Sequence, residues 1–313
     1  MKRGTSGINA LIGVDKPCGM TSHDVVGRVR RALGERRVGH AGTLDPDASG
    51  VLVIGVGQGT RLMGKLTAER KGYVGLVQLG SETETDDAEG AVTHAAAVPE
   101  WARDEARVRE LLGSILGESM QVPPAYSAIS VDGVRSYARA RAGEAVELPA
   151  RPVCVHAAEL LAIQEGEEGP AWLVSFDVSK GCYIRSIARD LGRAAGSAAH
   201  LAGLRRTFSG RVDISACVSL EELEAKGPEI LVGSSIDPAE ALGYPKRELS
   251  EKDAADAACG RRIPVGACVP TVPEDGGLVS LVRDGALFGI WRREGERLVC
   301  DTNFPQGVTG VRP

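Results

Sequence analysis

The sequence predicts a mixed α/β (α+β) fold with a large first part and a small β-rich module at its C-terminal end. Three observations predict it. The chain has 313 residues, 43% of them hydrophobic, which suits one large domain plus a small one, or a single large α/β domain. Strand-like and helix-like periodicities alternate through about residues 8–210. The apolar pattern then fades at 235–246, bracketed by Pro238 and Pro245, and turn-punctuated strands follow. Aromatics are only 4%, so the core must rest on Val, Leu, Ile and Ala.

Residues 8–14 read as a first strand, and "DKPCGMTS" turns the chain. Thr21 and Asp24 have capping-box spacing, with Val25, Val26, Val29 and Leu33 on one helical face and Arg28, Arg30 and Arg31 opposite. "GERRVGHAGTLDPDASG" reads as a polar, glycine-punctuated loop, and "VLVIGVG" as a short buried strand. A helical piece over about 60–69 and a strand "KGYVGLVQLG" follow. "SETETDDAEG" reads as a solvated acidic loop; Asp86, Asp87 and Glu89 crowd together, but their spacing fits no EF-hand. Residues 104–117 predict an amphipathic helix on Val108, Leu111, Leu112 and Ile115. The 121–150 stretch, with Pro123, Pro124, Tyr126, Arg135, Arg139 and Arg141, looks like a protruding arm. "AWLVSFDVSKG" alternates as a strand; from Tyr183 the period turns helical, with Arg185 and Arg189 sharing a second face. The predicted domains are 1–242 and 247–313.

The net charge of -5 is unevenly spread. Residues 1–80 hold 12 Lys/Arg against 6 Asp/Glu, and residues 81–120 hold 3 against 10. An acidic chain can therefore still present a basic face to phosphates. Seven cysteines, at 18, 154, 182, 217, 259, 268 and 300, form no Cys-x-x-Cys pair and suggest neither a zinc site nor a disulfide framework. That usage suits a reducing cytoplasm. No early apolar run is long enough for a signal peptide or a membrane helix.

"VGHAGTLDPDASG" gathers His40, Gly42, Thr43 and Asp45 within 13 residues. Pro46 restricts Asp45 to extended or turn geometry, so its carboxylate is a pre-positioned nucleophile or base, or else a turn cap. His40 is either structural or a side chain that stacks or fills a gap in a nucleic acid. Tyr73, after Lys71 at a strand start, is otherwise a packing residue. In "SKGCYIRS" a strand ends at Lys180 and a helix begins near Tyr183, placing Arg185 in a first turn where the helix dipole disfavours a cation. That suggests an anionic partner, with an ordinary surface arginine as the alternative. Arg205 and Arg206 in "LRRTFSG" are candidate phosphate contacts.

Six blocks together resemble one family. "DKPCGMTSHDVV", "VGHAGTLDPDASGVLVIGVG", "KGYVGLVQLGSETETDDAEG", "QVPPAYSAISVDGVRSYARARAG", "SKGCYIRSIARDLG" and "LRRTFSG" are similar, in order, to the motifs of the bacterial tRNA pseudouridine-55 synthases of the TruB family. The last 65 or so residues match only loosely, as a PUA-like barrel. The resemblance implies a pseudouridine synthase fold with a long twisted sheet and a central cleft. It implies isomerisation of uridine 55 in the T-arm of tRNA, with the target base flipped out. Asp45 would be the nucleophile, Tyr73 the ring-packing and proton-transfer residue, and Arg185 the partner of the catalytic carboxylate. His40 would fill the space left by the flipped base, and Lys16 and Pro17 would line and support the cleft.

An isomerisation needs no metal or organic cofactor, and the H-x-E and P-C-x-x-C zinc signature of the deaminases is missing. The resemblance further implies a monomer that needs no protein partner. The alternatives are a synthase acting on another RNA, such as a guide-dependent enzyme, and a tRNA chaperone without catalysis. One departure is visible: Cys182 stands where the motif usually has a small hydroxyl residue.

Overall fold

The computed structural model describes residues 6–67, 70–126, 130–131, 134–135, 148–166 and 169–312. The chain forms two compact units, Met1–Glu69 with Phe208–Pro313, and Arg70–Thr207.

The first unit opens with β1 (Ala10–Lys16) and α1 (Ser22–Leu33). Thr21 and Asp24 make the expected reciprocal capping box, and Val25, Val26, Val29 and Leu33 are buried. β2 (Val38–Ala41) and β3 (Ala48–Val56) follow, and β3 pairs antiparallel with β1. The VGHA segment, read from sequence as loop, is thus a strand: its backbone pairs with β3 from Val38↔Val56 to Ala41↔Val53. Its polarity misled because only Val38 and Ala41 are buried. A short 3-10 turn then leads into α2 (Met63–Leu66).

The second unit contains β4 (Lys71–Leu79), the hairpin of β5 (Ser81–Thr83) and β6 (Val92–Ala95), and α3 (Glu105–Ser114). Next come β7 (Gly117–Gln121) and a small pair, β8 (Ser130–Val131) with β9 (Val134–Arg135). The long β10 (Arg151–Gly166) and β11 (Gly169–Val178) lead to α4 (Ile184–Ala194) and β12 (Ala199–Ser209). The strand order in this unit is β12-β4-β11-β10-β7. Alternation in β11 works as expected: Trp172, Val174, Phe176 and Val178 are all buried. The indole N–H of Trp172 donates to the Ala102 carbonyl at 2.8 Å, which satisfies the polar atom of a large core residue.

The chain then returns to the first unit through β13 (Val212–Asp213), β14 (Cys217–Ser219) and α5 (Leu220–Lys226). β14 runs parallel to β1, and β15 (Ser235–Ile236) pairs with β1 antiparallel. The stretch expected to be a break holds α6 (Pro238–Leu242), capped by Asp237 and ended by left-handed Gly243. The prolines start and follow this helix rather than interrupt the fold. β16 (Lys246–Glu248), α7 (Glu251–Ala258), β17 (Ile263–Pro264), β18 (Leu278–Arg283), β19 (Ala286–Glu294) and β20 (Arg297–Thr309) complete the small sheet. One buried cluster joins Leu11, Val51 and Val53 to Leu242, Leu287, Ile290, Phe304 and Val308. The β-rich module therefore shares core with β1 and β3.

Candidate active site

Asp45 lies in the first unit, between β2 and β3, and is half-buried. Its carbonyl accepts from the Ala48 N–H at 3.1 Å, closing a turn with Pro46 at the position that favours proline. Three anchors hold this turn. The Lys16 ammonium donates to the carbonyls of Pro17 and Pro46, both at 2.9 Å, and of Ala48 at 2.7 Å. The Gly19 N–H donates to the same Pro46 carbonyl at 3.0 Å. Ser22, at the start of α1, accepts from the Leu44 N–H at 2.9 Å and donates to the Leu44 carbonyl at 3.0 Å. Gly42 has φ of +77°, a left-handed turn that glycine takes without strain.

Lys16 is 0% exposed. Expected to line and support the cleft, it gives its ammonium to main-chain carbonyls that hold the Asp45 turn. Pro17 and His40 are half-buried, Thr43 and Asp47 are exposed, and His40 pairs with Ile54 across β2 and β3.

Tyr73 and Arg185 lie in the second unit. Tyr73 is on β4, 8% exposed, opposite Phe176 of β11. Lys71, two residues before it, is also buried, so it is not an open phosphate contact. Arg185 is the second residue of α4 and is buried. One guanidinium nitrogen donates to the Thr85 carbonyl at 3.0 Å and to the Asp87 carboxylate at 3.1 Å. The other donates to the Tyr126 carbonyl at 3.1 Å. These acceptors offset the unfavourable dipole of the helix start.

The acidic loop is therefore not merely solvated. Arg185, Arg189 and Arg193, spaced four apart on α4, meet Asp87, Asp86 and Glu82 at 3.1, 2.8 and 2.7 Å. Asp87 is tied further by the Thr85 hydroxyl and by the Glu89 N–H. The Tyr126 hydroxyl donates to Glu84 at 2.6 Å. Burial pushes the Asp86 carboxyl up, against the pull of Arg189 and Arg185. The hydrogen-bonded Arg193 guanidinium holds Glu82 below its ordinary value. No group of three or more metal-binding side chains occurs among the described residues.

Of the remaining candidates, Lys180 and Arg205 are exposed and Tyr183 is half-buried. Arg206, expected as a phosphate contact, is 0% exposed, with its side chain enclosed in the interior. Arg139 and Arg141 lie outside the described residues. Burial pushes the Cys182 thiol up to about 12, which keeps it protonated and removes it as a nucleophile at neutral pH.

Residues 30–184 match the TruB family pseudouridylate synthase N-terminal domain, and residues 185–242 match the tRNA pseudouridylate synthase B C-terminal domain. The chain is 45% identical over 294 residues to a tRNA pseudouridine synthase B of an Arthrobacter species, covering 88% of this chain and 93% of that one. The chain belongs to the TruB family of pseudouridylate synthases. A Mycobacterium tuberculosis protein named tRNA pseudouridine synthase B is 42% identical over 287 residues, covering 92% of this chain and 93% of its own.

Among solved structures, a chain of an archaeal box H/ACA sRNP Nop10–Cbf5 complex matches with TM-score 0.69 and 25% identity, covering 95% of this chain and 86% of that one. A chain of a Cbf5–Nop10–Gar1 complex matches with TM-score 0.71 and 24% identity, covering 97% and 86%. This TruB-family synthase accordingly has the mixed α/β pseudouridine synthase fold and is an isomerase.

Sequence reasoning missed the anchoring roles in this synthase of Ser22, of Asp87, and of Gln121, whose amide bonds the Tyr183 backbone N–H and carbonyl. The 82/86/87 carboxylates and the 185/189/193 arginines carried a readable signal in their number and helical spacing. The Ser22 and Gln121 contacts carried none, since each spans distant parts of the chain.

Proposed function

We propose that this synthase converts uridine 55 in the T-arm of tRNA to pseudouridine, with Asp45 as the nucleophile. One observation carries the reading. A carboxylate sits half-exposed on a turn whose backbone is fixed by a buried lysine and a serine latch. Such a group is held for attack and loses little entropy on meeting its substrate. Relatives at 42–46% identity named tRNA pseudouridine synthase B support tRNA as the substrate.

Asp45 adds covalently to the flipped nucleotide and is released again as its carboxylate; the N1–C1′ glycosidic bond breaks, the uracil turns, a C5–C1′ bond forms, and the proton lost from C5 is balanced by one gained at N1. Atoms balance without a redox partner. Tyr73 packs against the ring and moves the proton lost from C5. Arg185 is the cation that steadies the carboxylate. His40 fills the vacated stack, and Gly42, Thr43, Tyr126, Lys180, Tyr183 and Arg205, with Arg139 and Arg141, make up the RNA-contacting set. Lys16, Pro17 and Lys71 support the fold around the reacting groups.

The enzyme acts as a cytoplasmic monomer with 1–242 as catalytic domain and 247–313 as RNA-binding module. Among the described residues, no helix is long and apolar enough to cross a membrane.

The test is to incubate the full chain with an unmodified tRNA transcript and to map pseudouridine by position. Pseudouridine at position 55 is the expected result. Modification elsewhere, or binding with no product, rejects the reading.

A further inference from the structure

Gln121 ends β7, and Tyr183 directly precedes α4. They are 62 residues apart in sequence, yet the Gln121 amide meets the Tyr183 backbone twice. The Tyr183 N–H donates to Oε1 at 2.9 Å, and Nε2 donates to the Tyr183 carbonyl at 3.1 Å. Nε2 also lies 3.8 Å from the Cys182 Sγ. The amide orientation is dictated by these partners, because a flipped amide would set donor against donor and acceptor against acceptor.

Tyr183 is the N-cap residue of α4 and makes no side-chain cap of its own. A tyrosine lacks the short side-chain acceptor that caps a helix start. Gln121, only 6% exposed, supplies the restraint from another strand. Its neighbour continues the grip: the Val122 carbonyl accepts from the Ser186 hydroxyl at 2.9 Å and from Arg189 at 3.2 Å. Farther along, the Tyr126 carbonyl takes Arg185 itself.

We propose that Gln121 is a positioning residue for the isomerase reaction: by clamping the Tyr183 backbone, it fixes the helix start from which Arg185 projects. The inference rests on the reading of Arg185 as a catalytic group. Asp87 holds the guanidinium, and Gln121 holds the main chain two residues before it. Reacting groups must be kept within about 0.5 Å of their working geometry, so slack in this peptide passes directly to the reaction.

The test uses the full chain, an unmodified tRNA transcript and single-turnover conditions with enzyme in excess. Gln121→Ala should slow product formation about tenfold, the equivalent of two modest hydrogen bonds, with tRNA affinity within about twofold of wild type. Gln121→Glu gives a readout that loss of folding would not. Protonated, the introduced carboxyl accepts from the Tyr183 N–H and donates to its carbonyl, as the amide does. Ionised, it cannot donate and faces the carbonyl oxygen. Its rate relative to wild type at the same pH should therefore climb as pH falls from about 8 to about 5.5, a window that burial raises above the ordinary carboxyl range.

Arg151 opposite Gln121 on β10, Cys182 beside its amide, Glu118 and Asp190 lining the same pocket, and Arg189 on the Val122 carbonyl are all present in Gln121→Ala as well, so comparing the two variants isolates the introduced group. A Gln121→Glu ratio that stays flat over that range overturns the proposal, even if Gln121→Ala does not fold. So does a Gln121→Ala rate within twofold of wild type. Failure of wild type to form pseudouridine would instead reject the functional reading, and this inference with it.

Discussion

Arg185 and Asp87 form a 3.1 Å ion pair with side chains only 8% and 18% exposed, joining the first turn of α4 to the acidic loop. Removing Asp87 takes one charge-assisted hydrogen bond from a buried guanidinium that keeps its Thr85 and Tyr126 carbonyl acceptors, at a cost of about 1.5–3 kcal/mol. Asp87→Ala should therefore lower unfolding stability by about that amount and slow pseudouridine formation at least tenfold. Urea unfolding and single-turnover rates measure both. A variant that matches wild type in each would show the pair to be idle.

Lys16→Met keeps the length and the apolar stem but removes three hydrogen bonds to the Pro17, Pro46 and Ala48 carbonyls. The Pro46 carbonyl keeps the Gly19 N–H, whereas a buried carbonyl left without a donor costs about 1–3 kcal/mol unless the loop relaxes. Either the protein loses stability or the Asp45 turn loosens. The expected sign is a falling turnover rate with tRNA affinity retained, since a residue that is 0% exposed does not touch RNA. A loss confined to affinity would return Lys16 to the RNA-contacting set.

Glu82 and Asp86 titrate in opposite directions. Arg193 holds Glu82 below its ordinary value of 4.5, so its contribution is fully present above that pH and fades as pH falls through the lowered value. Asp86 is raised above 3.8 by burial, so its ionisation lowers stability as pH rises through the raised value. Glu82→Gln should thus destabilise the protein at neutral pH, and its difference from wild type should shrink below about pH 4.5. Thermal melts of both proteins from acid to neutral pH check this; a constant offset contradicts it.

Arg205 and Arg206 adjoin in sequence but differ in exposure, the first open and the second fully buried. Arg205→Ala should weaken tRNA binding and reduce the salt slope by about one counterion. Arg206→Ala should lower the melting temperature instead, because its long side chain fills interior volume. If the two variants exchange these effects, the assignment is reversed.

This contrast shows what the sequence could and could not reveal. Local patterns read well: the Thr21 capping box, the α1 apolar face and the alternation of β11 all depend on neighbours close in the chain. The family motifs singled out Asp45, Tyr73 and Arg185 because each lies inside a contiguous block of sequence. Burial of Lys16, Lys71 and Arg206 was not legible, since a cation in a basic motif looks the same whether it faces phosphate or a carbonyl cage. The acidic loop was read as solvated because its arginine partners lie about 100 residues away, as for Arg185 and Thr85. The 235–246 stretch looked like a boundary because α6 is one short turn between prolines, and its apolar residues gain meaning only against Leu287 and Phe304.

Asp45→Asn should abolish pseudouridine formation while leaving folding and tRNA binding intact. The turn that carries Asp45 is held by backbone atoms and by Lys16 and Ser22, none of which the substitution alters. Pro46 keeps its turn position in either variant. Asparagine also caps a turn almost as well as aspartate, so a purely structural Asp45 predicts little change in stability or in turnover. The chemistry separates the cases, because a carboxylate adds to carbon and leaves again, whereas an amide is a poor nucleophile and no useful base. Binding to an unmodified T-arm stem-loop and product formed with enzyme in excess are the two readouts. Near-normal affinity with no detectable product assigns the nucleophile to Asp45. Product at a rate within about tenfold of wild type, roughly 1.4 kcal/mol in barrier, rejects that role. Arg185→Lys should give a graded version of the same loss, since lysine keeps the charge but cannot reach the Thr85, Asp87 and Tyr126 oxygens with one planar fork.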